Sequence, residues 1–346
     1  MTAGPSTHDE APDDASRGDA AARHVPVLAE RCLDLLAPAL DEDGAVLIDA
    51  TLGMGGHTEL ALRRFPGLRV VGIDRDPQAI ALASRRLAPF GDRFTAVQAV
   101  YDAIDLVVAE HAGGAVAGIL MDLGVSSLQL DEADRGFAYA HDAELDMRMD
   151  ATTGTSAAEL LATASTGELR RILREYGEER FAGRVADAIV RRRAERPVTR
   201  TGDLVEIVRA AIPAATRRTG GNPAKRTFQA LRIAVNDELT VLHDALPRAI
   251  ESLAVTGRIV VMSYHSLEDR AVKRALARGA TSSAPHGLPV EPVSHRPYLR
   301  QLTRGAEEAD DAERAANPRA TSVRLRAAER LRPTPDHMRT ETRRAA

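Results

Sequence analysis

Asp49-Ala50-Thr51-Leu52-Gly53-Met54-Gly55-Gly56-His57 lies between a short apolar run, Val46-Leu47-Ile48, and a stretch with helical character from His57 to Phe65. A strand, a glycine-rich turn and a helix in that order is how a doubly wound sheet holds a nucleotide-like ligand. The glycines let the backbone approach the ligand, and binding falls at the carboxyl ends of the strands. The dinucleotide fingerprint G-x-G-x-x-G would place glycine at position 58, where this sequence has Thr58. That mismatch disfavours a nicotinamide cofactor.

Outward from the turn, strands and helices alternate. Arg69–Asp74 reads as a second strand, and Asp76-Pro77 opens a helix, with aspartate as its N-cap and proline at the first helical position. Phe94–Gln98 is a weaker third strand, a helix follows near Tyr101–Glu110, and Val116–Asp122 is a strongly apolar fourth strand. The alternation predicts an α/β fold with a parallel sheet covered on both faces. Upstream, Pro26 to Leu40 reads as an amphipathic helix. From Gln129 to Pro247 the pattern gives helices without a convincing strand: Thr166–Tyr176, Glu179–Arg193, Thr201–Ala211 and Thr227–Ala245. Strand character returns at Gly257–Tyr264, and again at Tyr298–Thr303 and Ser322–Ala327; 280–296 and 305–318 read as loops. The expected organisation is one domain, 23–135 with 248–332, interrupted by a helical insert, 136–247. Disordered tails are expected at 1–22, which is acidic, and at 333–346.

With 346 residues, 44% hydrophobic and 28% charged, the chain has ample material for a core. No apolar stretch reaches the ~20 residues of a membrane span, and no signal-peptide core is seen, so a cytoplasmic protein is expected. The single cysteine, Cys32, lies in the apolar run 27–36 and reads as a compact core residue; one cysteine forms no intramolecular disulfide and no cysteine-based metal cluster. The net charge is -4, but its distribution is uneven. Acidic residues gather at Asp9, Glu10, Asp13, Asp14 and Asp19, and basic ones between Arg170 and Arg232. Lysine occurs only as Lys225 and Lys273; together with abundant alanine, that is what a GC-rich coding sequence produces. Aromatic residues make up 3% with no tryptophan, which weighs against stacking platforms for single strands.

Asp74 ends the second strand, where a carboxylate can accept both hydroxyls of a ribose, and Asp122 ends the fourth. Added to the glycine turn, these acids favour S-adenosylmethionine as the ligand. The plainer reading is a tight turn with helix-capping aspartates, a role that suits Asp76 better than Asp74. No His, Asp or Glu grouping shows metal-ligand spacing, so no metal is expected.

Several further segments carry a family resemblance. His24-Val-Pro-Val-Leu28, Asp49 to Thr58, Gly72-Ile-Asp-Arg-Asp-Pro77, Asp122-Leu-Gly-Val-Ser-Ser-Leu-Gln129, Arg135-Gly-Phe137, Leu145-Asp-Met-Arg-Met149 and Gly177-Glu-Glu-Arg180 resemble the bacterial 16S ribosomal RNA cytosine-N4 methyltransferases (RsmH, formerly MraW). Lys225 to Leu239, Ser263-Tyr-His-Ser-Leu-Glu-Asp-Arg270 and Asn317-Pro-Arg319 extend the match, which runs in order from about His24 to Arg330. Tyr264 and Tyr101 stand where the family commonly has phenylalanine. The resemblance implies a Rossmann-like class I methyltransferase sheet and N4-methylation of a cytidine in the decoding centre of the small-subunit RNA. It also implies that Gly55, Gly56 and His57 line the donor, that Asp74 holds its ribose, that Tyr101 packs near the adenine, and that Asp122 and Gln129 complete the pocket.

Methyl transfer from a sulfonium is an in-line displacement, so its main demand is alignment. The cytosine amino lone pair is delocalised into the ring, and acceptors on the amino hydrogens help it pyramidalise. The D/N/S-P-P-Y/F segment that many amino-methyltransferases carry after strand four is absent; Asp122-Leu-Gly-Val125 stands there. Asp122 therefore has two readings, donor binding or orientation and deprotonation of the acceptor. His265, expected near the same sheet end, reads as a second catalytic candidate or as a loop histidine bonded to backbone. The insert supplies the RNA-binding candidates Arg170, Arg171, Arg174, Arg184, Arg191, Arg192, Arg193, Arg217, Arg218, Lys225 and Arg226, unless interleaved acids such as Glu175 and Asp187 make these ordinary solvated faces. The partner expected is 16S RNA or the small subunit, with a homodimer left open. A small-molecule methyltransferase and a non-catalytic assembly factor are the competing readings.

Overall fold

The computed structural model describes residues 26–126, 129, 135–214, 222–285, 287 and 290–340. The expected tail 1–22, the end of the C-terminal tail, and Arg217 and Arg218 lie outside the described residues.

Seven strands form one sheet: β1 (Val46–Asp49), β2 (Arg69–Asp74), β3 (Phe94–Gln98), β4 (Val116–Asp122), β5 (Leu253–Ser263), β6 (Leu299–Gln301) and β7 (Arg324–Arg330). Their order is β3-β2-β1-β4-β5-β7-β6. The first five run parallel, and β7 enters antiparallel between β5 and β6. This is the Rossmann-like class I methyltransferase sheet that the sequence led us to expect. The strand order reverses between β1 and β4, so the ligand crevice opens at their carboxyl ends.

Side chains alternate across the sheet into two apolar layers. Ile48, Val71, Ile73, Ile119, Met121, Ile259 and Val261 face one way, and Leu47, Val70, Leu120, Val260 and Met262 the other. The second face is covered by α1 (Ala29–Leu40), α2 (Gly56–Arg64) and α3 (Pro77–Leu87), with Cys32 fully buried 3.6 Å from the Met262 sulfur. The first is covered by α4 (Ile104–His111) and, from later in the chain, by α10 (Glu238–Ser252) and α11 (Ser266–Ala280).

Between β4 and α10 the chain builds a separate apolar cluster, from Phe137 to Leu231. It contains α5 (Ala157–Thr163), α6 (Thr166–Glu175), α7 (Ala182–Glu195), α8 (Thr201–Ala211) and α9 (Ala224–Asn236). α5 was not anticipated, although Ser156 and Glu159 form a full capping box at its start. α11 was also missed.

The single helix expected over Thr227–Ala245 is two. Asp237 adopts a left-handed conformation, φ 52°, which breaks α9 from α10. The break is fixed by Asn236, whose carbonyl oxygen accepts from the Met149 N–H at 2.8 Å and whose amide donates to the Met147 carbonyl at 2.7 Å and the Arg232 carbonyl at 2.9 Å. The expected insert boundary at 247 falls inside α10, and Leu242, Ala245, Leu246, Ala249 and Ile250 of that helix all lie in the sheet's cluster. Asn236→Leu leaves the buried Met149 N–H and Met147 carbonyl without their partner, an expected cost of about 2–4 kcal/mol. The check is the urea midpoint, which should fall with an unchanged slope; an unaltered midpoint would show that the hinge does not depend on Asn236.

Two loop assignments also change. The 305–318 loop contains α12 (Asp311–Ala316) and a bridge from Glu307 to Leu325. The segment after Arg332, expected to be disordered, is tied down through residue 340. The Thr340 N–H and hydroxyl donate to Glu251 at 2.8 and 2.9 Å, and Met338 packs on the sheet's cluster. The carboxylate that receives it lies on α10, far away in sequence, which is why local composition misled.

Candidate active site

The glycine turn is held from both neighbouring strands. Ala50 N–H donates to the Leu120 carbonyl of β4 and Leu52 N–H to the Ile73 carbonyl of β2, both at 2.9 Å, and Gly55 N–H closes the turn on the Leu52 carbonyl at 2.8 Å. Gly53 and Gly55 have φ of 51° and 77°, in the left-handed region where glycine carries no Cβ penalty. At Gly56 a Cβ would stand 2.7 Å from the Pro26 ring, so that glycine admits the segment leading into α1.

Asp74 reaches this turn from the end of β2. Its Oδ2 accepts the Gly53 N–H at 2.8 Å and its Oδ1 the Asp76 N–H at 2.9 Å, leaving each oxygen room for one more donor. Burial pushes its carboxyl up to about 6, with the two N–H groups opposing. Thr58, which breaks the dinucleotide fingerprint, has its own task. Its hydroxyl donates to Asp49 Oδ2 at 2.7 Å, satisfying a carboxyl only 2% exposed at the end of β1.

His57 is buried, and its Nε2 donates to the Val27 carbonyl at 3.0 Å, which fixes the tautomer. Burial lowers its pKa, so the ring is neutral, and its bare Nδ1 lies 4.0 Å from Asp122 Oδ2. Asp122 stands at the end of β4 with its N–H on the Thr51 hydroxyl at 2.6 Å. The Tyr264 hydroxyl donates to its Oδ1 at 2.6 Å. Burial pushes the Asp122 carboxyl up to about 7, opposed by the Tyr264 bond and reinforced by Glu268.

Asp76 caps α3 as the sequence suggested, its Oδ1 accepting the Gln78 N–H at 3.0 Å. Its other oxygen gathers the segment that follows β4: Arg135 donates at 2.5 Å and the Gln129 amide at 3.3 Å. Gln129 in turn accepts the Ser126 N–H at 3.0 Å. Tyr101 starts a 3-10 turn just after β3, and burial raises its phenol pKa.

One cavity of about 390 Å³ joins these groups: Gly56, His57, Asp74, Tyr101, Asp122, Gln129 and His265 all line it. Gly55 does not. Its contribution is the backbone turn, and a Cβ there would come 2.9 Å from Leu87 beneath. The far wall comes from α9, where Lys225, Phe228, Gln229 and Arg232 line the cavity at the i, i+3, i+4, i+7 spacing of one helix face. Only Lys225 among them was a candidate from sequence; the helical stripe would have found the rest.

Arg232 makes a double hydrogen bond with Glu238, both distances 2.8 Å. Beside that pair, Glu238, His265 and Glu268 bring potential ligand atoms within 4.8 Å of one another, a grouping that linear spacing concealed because Glu238 lies on α10, away in sequence from His265 and Glu268 at the start of α11. His265 caps α11. Its Nδ1 accepts the Glu268 N–H at 3.4 Å and its Nε2 lies 3.2 Å from Glu268 Oε1. Glu268 Oε2 meanwhile accepts the Tyr264 N–H at 2.8 Å. Both His265 nitrogens thus face Glu268 rather than Asp122.

Many of the insert arginines are engaged within the chain. Arg171 pairs with Glu175 at 3.0 Å, Arg170 lies 3.7 Å from Asp187, Arg193 donates to the Leu161 and Ala164 carbonyls, and Arg226 donates to the Glu178 carbonyl. Lys225 is exposed and makes no ion pair among the described residues.

The sequence model of the MraW methylase family matches residues 21–331. The chain is 72% identical over 316 residues to the ribosomal RNA small subunit methyltransferase H of Beutenbergia cavernae, covering 91% of this chain and 95% of the relative. It is 64% identical over 315 residues to the protein of the same name from Saccharopolyspora erythraea, covering 91% and 96%.

Proposed function

The chain belongs to the MraW methylase family, and from that premise we propose that it methylates N4 of a cytidine in the decoding centre of 16S ribosomal RNA. S-adenosylmethionine is the donor, and small-subunit ribosomal RNA is the substrate class that the relatives' names support. The observation that carries the finer reading is Asp122. Its Oδ1 is fixed by Tyr264 while its Oδ2 has no hydrogen bond among the described residues, and it sits where the glycine turn and the insert helix share one cavity.

The residues present fit the donor. The cavity lies in the range of small-molecule sites, and Asp74 offers two oxygens aimed for neighbouring hydroxyls. Bound there, S-adenosylmethionine supplies an electrophilic methyl on a sulfonium. Asp74 accepts the ribose hydroxyls, and the backbone at Gly53 and Gly56 gives close approach. Asp122 Oδ2 accepts a hydrogen from the target amino group, drawing its lone pair out of conjugation, and takes the proton as the new bond forms. Tyr264 holds the carboxylate in orientation. Neutral His57 orders the segment before α1. His265 acts through Glu268, positioning Tyr264, and is not the proton acceptor. The α9 face, with Phe228 between Lys225 and Arg232, forms the wall against which an unstacked base enters.

The test uses small subunits from a strain deleted for the gene, incubated with the purified protein and donor. Mass mapping should find one new N4-methylcytidine in the decoding centre. Methyl on another base, or donor binding without transfer to subunit RNA, overturns the reading.

A further inference from the structure

A second, open groove of about 600 Å³ runs beside the active-site cavity. The two share Tyr264, His265 and Ser322, so the groove begins where the wall behind Asp122 ends. One bank is a single face of α11, on which Ser266, Arg270 and Lys273 follow at i, i+4, i+7. The other bank is Glu308 and the start of β7.

The charges along this groove are not alike. Asp269 accepts from Arg326 at 2.7 Å and has Arg324 at 4.0 Å. Glu308 has Arg314 at 3.0 Å and Arg324 at 3.8 Å. Arg270 is directed to Glu178 at 3.2 Å. Lys273 is exposed and makes no ion pair among the described residues. Each carboxylate of the groove therefore already has an arginine, while its lysine has no counter-charge among the described residues. The only other lysine in the chain, Lys225, lines the opposite wall of the adjoining cavity. A lysine is a compact charge on a flexible stem, suited to following a phosphate without a fixed fork geometry.

We propose that this groove carries the RNA backbone as it leaves the target nucleotide, with Lys273 against a flanking phosphate. The proposal rests on the reading of the protein as an RNA methyltransferase. A free small anion would need a closed pocket with converging donors; this is an open trough continuous with the site, with one unanswered positive charge partway along. A nucleotide turned out of its strand has its flanking phosphates at the pocket mouth, so a strand path joined to the cavity is what such a substrate requires.

Lys273→Glu in the full-length protein tests it, with undermethylated small subunits as substrate and initial rates measured from about 50 to about 200 mM salt. The expected result is a fall of about ten-fold in kcat/KM at the low-salt end, and a salt slope shallower by about 0.7, the value for one phosphate contact on a single strand. Donor affinity by calorimetry and the thermal midpoint should match wild type, and Lys273→Arg should restore most of the rate. Wild-type kcat/KM and slope in Lys273→Glu overturn the proposal, as does a lowered rate with an unchanged salt slope. If the wild-type protein itself leaves subunit RNA unmethylated, the underlying reading fails, and that outcome is separate from a failure of the groove alone.

Discussion

Asp122→Asn lowers the single-turnover rate of methyl transfer by about 10²–10⁴-fold, the span expected for loss of a positioned proton acceptor. Donor affinity changes by less than about three-fold, because asparagine keeps the size of the side chain and an oxygen for the Tyr264 hydroxyl. The pH dependence identifies the group. With its carboxyl at about 7, Asp122 gains its accepting form as pH rises, so the wild-type rate climbs to a plateau with a midpoint near that value. In the variant that limb disappears. A residual rate that keeps the same limb would assign the titration to another residue and remove Asp122 from the proton transfer.

Stability gives an independent readout of the same carboxyl. Its pKa is higher in the folded chain than the ordinary 3.8, so the folded chain binds the proton more tightly. Its contribution is then most favourable below the ordinary value and is lost as pH rises through about 7. Asp122→Asn should accordingly raise the thermal midpoint at alkaline pH, where the wild type holds a buried charge, and change it little at acid pH. A variant less stable at high pH would contradict the burial that sets this site up.

The second large effect is on donor binding. Asp74→Ala removes the acceptors proposed for both ribose hydroxyls and the partner of the Gly53 N–H, 2.8 Å away. With hydrogen bonds to a charged group worth about 1.5–3 kcal/mol each, calorimetry should show donor affinity down by about 10²–10⁴-fold. In the wild type the affinity should also weaken as pH falls through about 6, since the carboxyl accepts both hydroxyls only when ionised. Asp74→Asn should bind weakly at every pH. Donor binding by Asp74→Ala within about ten-fold of wild type would place the ribose elsewhere.

What could be read from the sequence was local. The glycine turn, the acids ending β2 and β4 and the Asp76 cap each declare themselves within a few residues, and the alternation of strands and helices fixed the parallel part of the sheet. What was hidden depends on partners far apart in the chain. Tyr264 looks like a mild departure from a motif until it is seen on Asp122, 142 residues earlier. Thr58 looks like the wrong residue for a fingerprint until Asp49 is seen beneath it. His265 was a catalytic candidate because of where its strand ends, yet side-chain direction turned its nitrogens to Glu268. The Asn236-Asp237 break escaped because helical periodicity continues on both sides of it, and only the Met147 and Met149 backbone groups explain the stop. The α9 wall was overlooked because the insert had been read for charge alone.

Among the described residues the last strand in chain order, β7, is an interior strand of the sheet. β6 is synthesised before β7 but pairs only with it, and β5 has its outer edge open until Arg324–Arg330 arrives. A chain still on its own ribosome can align β1 to β5 in order of emergence, while the end of β5 that leads into Tyr264 waits for β7. A message truncated ahead of codon 324 would yield a protein with a bare strand edge, the kind of surface that recruits other chains. The sheet therefore closes only once Arg324–Arg330 has emerged to pair with both β5 and β6.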